Sequence, residues 1–154
     1  MNDAASALGS NFGLIFVVVF LGIWLGANAL VSVTGGWRAL AQRYRTDLPV
    51  MGNVFRFRSA RFRNFTNYNN CLTFGAAPQG LYVSVFWPFR ISHPPLFIPW
   101  TEISGRRFTT YWWFERMELT FPRVPGVTIQ LRRKLAEEII GAANLPQALR
   151  LLHS

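Results

Sequence analysis

The chain has 154 residues, of which 51% are hydrophobic and 15% charged, with a formal net charge of +9. That length allows one modest domain plus a short appendage, and a single cysteine, Cys71, excludes an internal disulfide or an intrachain thiolate metal cluster. All 16 basic residues lie at or after Arg38, whereas only Asp3 of the seven acids precedes it, so the surface that attracts polyanions or an acidic partner belongs to the later part of the chain.

Residues 1–11 read as a short N-terminal tail. Phe12 to Val33 (FGLIFVVVFLGIWLGANALVSV) then runs without a charge. As a helix it would be about 33 Å long, enough for a hydrocarbon core of about 30 Å. Trp37 follows where an indole commonly sits at headgroup level. A cleaved signal peptide is the rival reading, since Ala27-Asn28-Ala29 has the small-x-small form of a cleavage site, but no Lys or Arg precedes the apolar run. Arg38, Arg43 and Arg45 follow it, and the positive-inside bias then places the N-terminus outside and the domain in the cytoplasm. Within the span, Gly22 and Gly26 form a GxxxG; with Asn28 and Ala29 nearby they mark a face for helix–helix packing, with itself or with another membrane protein.

Residues 34–53 are expected to form a juxtamembrane amphipathic helix and a linker. Trp37, Leu40, Ala41 and Tyr44 share one stripe, with Arg38, Gln42 and Arg45 toward water or headgroups. Residues 54–152 form the strand-rich domain. Phe55-Arg56-Phe57-Arg58 alternates, but Phe62 falls on the other parity, which calls for a bulge or turn near Ser59-Ala60. Strands follow at Asn70–Phe74, at Leu81, Val83, Val85 and Trp87, at Leu96–Trp100, at Phe108–Phe114, at Arg116–Phe121 and at Val127–Leu131, with a turn at Gly75–Gly80. Leu135, Ile139 and Ala142 or Ala143 mark a helix that Asn144 ends, and Pro146 opens a last short helix to Leu152.

This order gives one transmembrane helix plus an α+β domain, a bent antiparallel sheet of about seven strands closed by a C-terminal helix. With Ile98-Pro99-Trp100-Thr101-Glu102-Ile103 at a strand exit, it resembles the pleckstrin-homology-like fold. Asn70-Cys71-Leu72, Gly80 to Val85, Phe89-Arg90 and His93 to Trp100 are similar to small single-pass proteins of the bacterial cytoplasmic membrane that carry such a domain. The resemblance covers about residues 68 to 103; it implies fold and compartment and brings no activity with it.

The candidate chemistry is sparse. His93 and His153 are the only histidines, no metal-ligand spacing or glycine-rich phosphate loop occurs, and no cofactor is implied. Cys71 with His93 is the one conceivable thiolate–imidazole pair, against a plain buried cysteine. His93, ahead of two prolines in a rigid loop where a cis bond is an option, is a candidate partner or headgroup contact, or else a structural hydrogen bond that fixes the loop. Arg56, Arg58, Arg61 and Arg63 are the candidate contacts for anionic headgroups or phosphate, or simply a solvated positive face. Interleaved Phe and Arg would also suit single-stranded nucleic acid, which a membrane tether disfavours. In Tyr111-Trp112-Trp113-Phe114 the run of rings points to a partner surface at Trp112 and Trp113. The leading expectation is a non-catalytic accessory or scaffolding subunit of a larger membrane complex, respiratory or photosynthetic for example. The alternatives are an anionic-lipid-sensing module and, last, an enzyme.

Overall fold

A computed structural model describes residues 2–63, 65–111 and 114–144 of the chain. Helix α1 (Asn2–Thr34) begins well before Phe12. The residues expected to form a tail, rich in alanine, continue the helix because they favour it intrinsically. Asn11–Thr34 is long and apolar enough to cross a membrane, and every side chain from Asn11 to Ile23 is exposed.

At the foot of α1 the chain turns sharply. Gly35 donates to the Val31 carbonyl at 2.9 Å and Gly36 to Val33 at 3.2 Å, and Gly36 takes the left-handed backbone (φ 81°). A Cβ there would come within 2.8 Å of Val127 Cγ2 and Arg63 Nε, so both conformation and space require glycine. Arg63 Nη1 donates to the Thr34 carbonyl at 3.4 Å, placing a cation on the carbonyl end of the helix. Helix α2 (Trp37–Tyr44) follows immediately and buries Trp37, Leu40 and Tyr44 in the same cluster as the sheet. It is therefore part of the domain, and the boundary expected at residue 54 moves back to the foot of α1. Trp37, expected at headgroup level, is 0% exposed.

The sheet consists of β1 (Asn53–Phe62), β2 (Thr66–Ala77), β3 (Gly80–Val85), β4 (Leu96–Pro99), β5 (Ser104–Tyr111), β6 (Phe114–Thr120) and β7 (Thr128–Arg132). All pairings are antiparallel and the order is β4-β3-β2-β1-β7-β6-β5. Two meanders thus meet where β1 pairs with β7, at Arg61↔Gln130 and Phe62↔Ile129. The sheet curls about its core, and α3 (Arg133–Ala143) closes it with Leu135, Ala136, Ile139, Ile140 and Ala143 buried. Asn144 ends α3 in the left-handed conformation, as an asparagine can.

Three local expectations change. The parity switch in β1 comes from the register break between Phe55 and Arg58, where Phe57 takes φ 54° and turns its ring outward; the break between Arg58 and Ala60 places its extra residues in β2, around Asn70 at φ 51°. The turn expected over Gly75–Gly80 contracts to Pro78-Gln79, because β2 and β3 pair as far as Ala77↔Gly80. Trp87 leaves the β3 face: the strand stops at Val85, and the next residues form a loop with a cis peptide bond at Trp87–Pro88, not at the prolines after His93. Trp112, Trp113 and the helix expected at Pro146–Leu152 lie outside the described residues.

Trp37→Ala should cost about 3–5 kcal/mol, the usual range for emptying a buried aromatic site, whereas Trp87→Ala, at 72% exposure, should stay within about 0.5 kcal/mol. Chemical denaturation of the full chain in detergent checks both; equal costs would contradict this core.

Candidate functional site

The most elaborated region of the molecule is the junction between α1 and the sheet. Trp24, Ala27, Asn28 and Val31 line one wall of a cleft of about 390 Å³, and Tyr68, Cys71, Val85, Phe89 and His93 line the other. The helix wall exists because these four positions recur at helical spacing. The opposite wall exists because β2 breaks its alternation at Asn70 (φ 51°), which lets Tyr68 and Cys71 share a side, and because the loop after Pro88 folds back against α1. Trp24 and Phe89 hold the cleft's rim with ring centroids 5.8 Å apart. Ser32 Oγ donates to the Ser92 carbonyl at 2.6 Å and closes the loop onto the helix foot.

Behind the cleft lies an aromatic cluster. The Trp37 ring sits 5.3 Å from Phe62, 5.7 Å from Tyr68 and 5.3 Å from His93, and its indole Nε1 donates to the Pro94 carbonyl at 2.9 Å. His93 is 1% exposed, so it does not offer a surface for a partner or headgroup. Its Nδ1 is 3.1 Å from the Phe89 carbonyl, which can only accept, so Nδ1 carries the proton and Nε2 accepts from the Tyr68 hydroxyl at 2.9 Å. Burial lowers the His93 pKa from its ordinary value, which agrees with this neutral tautomer. The Tyr68 hydroxyl is pushed up, chiefly by burial, and remains a donor. Burial also raises the Cys71 thiol, which keeps it protonated near neutrality, the opposite of an activated nucleophile.

The helix face expected around the GxxxG divides. At about 100° per residue, Gly22 and Gly26 project roughly opposite to Trp24, Asn28 and Val31. A Cβ at either glycine would meet nothing within 4 Å, so their face is open. Asn28 instead faces the cleft and donates its amide to the Trp24 carbonyl at 2.9 Å, satisfying a polar group within its own helix. Ala29 lines a second cleft at the helix foot, of about 470 Å³, together with Val33, Arg38 and Arg45.

The four arginines of the β1 region do not act as one patch. Arg56 is exposed; Arg58 Nη2 lies 3.4 Å from Glu138 Oε2 on α3. Arg61 Nε donates to Asn67 Oδ1 at 2.8 Å, and Arg63 Nε to the Gly126 carbonyl at 3.1 Å. The register breaks in β1 send these side chains to different neighbours. A cationic centre forms elsewhere, around Glu102. This carboxylate accepts from the Tyr44 hydroxyl at 2.6 Å and lies 3.6 Å from Arg43 Nε and 3.5 Å from Arg123 Nε. The Tyr44 bond, followed by Arg123 and Arg43, holds Glu102 below the usual carboxylate range, while burial and Glu102 push Tyr44 up to about 12.

No family model, curated protein or solved structure matches the chain. The geometry alone therefore assigns the site. Sequence reasoning missed Trp24, Asn67 and Phe89, all three of which line the cleft. The available signal was Phe86-Trp87-Pro88-Phe89, an apolar run that a proline removes from the strand before it and that no helical period explains.

The His93 environment sets a pH dependence. The folded chain keeps the ring neutral where the unfolded chain takes up a proton, so the stabilisation is full above the ordinary pKa of 6.5 and is lost as pH falls below it toward the depressed folded value. Glu102 acts in a lower window, below its ordinary 4.5. Thermal melting of the full chain should therefore fall between about pH 7 and about pH 5. His93→Gln should melt lower at pH 7 and lose most of that slope; an unchanged slope would contradict the buried neutral imidazole.

Proposed function

We propose that the protein is a non-catalytic, membrane-anchored accessory subunit whose α1 holds its own domain on one face and docks onto another membrane protein with the other. The division of α1 carries this reading. Trp24, Asn28 and Val31 are turned to the domain, while Gly22 and Gly26 leave a smooth strip on which a second helix can approach closely. In hydrocarbon there is no hydrophobic drive between helices, so close packing at small residues is what an interface of this kind has to use.

The chemistry near the cleft supports a scaffold over an enzyme. His93 has both ring nitrogens engaged, and Cys71 is held as a thiol. We read the sheet as pleckstrin-homology-like, a reading supported by two meanders joined through β1 and β7 and by the closing helix α3. On the same reading the membrane is a bacterial cytoplasmic one with the domain inside, supported by Arg38, Arg43 and Arg45 beyond the foot of α1. The separate partners of Arg58, Arg61 and Arg63 give less support to the lipid-sensing alternative.

Mild-detergent purification of the tagged full-length chain should recover a stoichiometric membrane-protein partner, and Gly22→Leu with Gly26→Leu should release it without lowering the melting temperature of the domain. Migration of the unsubstituted chain as a lone monomer would contradict the proposal.

A further inference from the structure

Between β3 and β4 the chain exposes four large apolar side chains within six residues: Phe86 at 52%, Trp87 at 72%, Phe89, and Ile91 at 68%. Phe57, rotated outward by its left-handed backbone, joins them with its ring 6.1 Å from Phe86. A contiguous exposed patch of this kind calls for a partner. Its position says which one. The loop runs along the wall of α1, fixed to Ser32 at one end and against Trp24 at the other. Those two residues are eight apart, about 12 Å along the helix axis. Whatever surrounds the exposed apolar surface of α1 at that height also surrounds the loop.

We infer that Phe86–Ile91 is a membrane-inserting loop that buries Trp87, Phe86 and Ile91 in the headgroup–acyl boundary of the bilayer that holds α1; the inference rests on the anchoring role of α1 proposed above. The loop meets the conditions for that zone. Irregular backbone is costly in hydrocarbon because its polar groups need partners. Here Phe86 donates to the Cys71 carbonyl at 2.7 Å, Phe89 to Phe86 at 3.0 Å and His93 to Arg90 at 3.1 Å, while Pro88 has no N–H. Arg90, the single charge in the loop, turns back toward the Tyr82 hydroxyl, 3.5 Å away. Indole rings prefer this boundary layer. The layer therefore meets α1 near Asn28, not at Val33. A span of about 20 residues counted back from there begins near Leu8. This is the stretch before Phe12 into which α1 already extends.

The test uses the full chain with Cys71→Ser, reconstituted into phosphatidylcholine–phosphatidylglycerol vesicles and labelled at one new cysteine with an environment-sensitive fluorophore. Trp87→Cys should be dimmed by a quencher on the upper acyl chain more than by one near its end, and should be shielded from iodide. Leu21→Cys should show the reverse depth preference, and Lys134→Cys should respond to iodide alone. If position 21 is quenched by lipid while position 87 is open to iodide, the loop inference fails and the anchor stands. If neither 21 nor 87 responds to lipid quenchers, the anchor itself fails. A position 87 silent to both kinds of quencher means that protein covers the loop, and that also overturns the inference. Ile91→Cys repeats the measurement should Trp87→Cys not fold.

Discussion

The structure depends on one buried ring. Trp37 stands where α1, α2, the β1–β2 hairpin and the loop after β3 converge, and it touches Phe62 and Tyr68 of the hairpin and His93 of the loop. Its indole N–H would be an unsatisfied donor in that core, at a cost of about 1–3 kcal/mol, without the Pro94 carbonyl. Only Gly35 and Gly36 separate it from the end of α1, and Gly36 has neither the conformation nor the room for another side chain. The ring thus converts a two-residue connection into a fixed angle between helix and domain.

The consequences reach the site. With Trp37 in place, the loop carrying Phe89 and His93 is held against α1, and the Ser32–Ser92 bond completes the closure. His93 belongs to this brace through Tyr68 and the Phe89 carbonyl, so its chemistry is spent on position. The domain then occupies one side of α1 from Trp24 downward and leaves Gly22 and Gly26 to face outward. On the proposed reading a second helix takes the glycine face, where its contacts would not compete with those of the domain.

Much of the architecture was legible in the residues. The uncharged run in α1, the alternation in β3 and β7 and the stripe of Leu135, Ile139 and Ala143 in α3 each carry the period of the element they form. What could not be read were relations between elements. Periodicity shows that Asn28 lies on a helix but not which side the domain will take, and the structure turns it away from the glycines that stand near it in sequence. The same periodicity placed Trp37 on the buried stripe of α2, yet proximity to a span also favours a headgroup position for an indole; the choice depends on tertiary contacts with Phe62 and Tyr68. Arg56, Arg58, Arg61 and Arg63 looked like one cluster because spacing in sequence hides the positive φ of Phe57 and the two register breaks beside it.

The most direct measurement is amide-type hydrogen exchange of the tryptophan indole N–H groups by NMR, on the full chain in micelles. The Trp37 indole should exchange as slowly as the amides of the interior strands β2 and β3, while the Trp87 indole, assigned through Trp87→Phe, should exchange far faster. Comparable fast exchange at both rings would mean that Trp37 is not locked to Pro94, and the fixed joint between helix and domain would not exist.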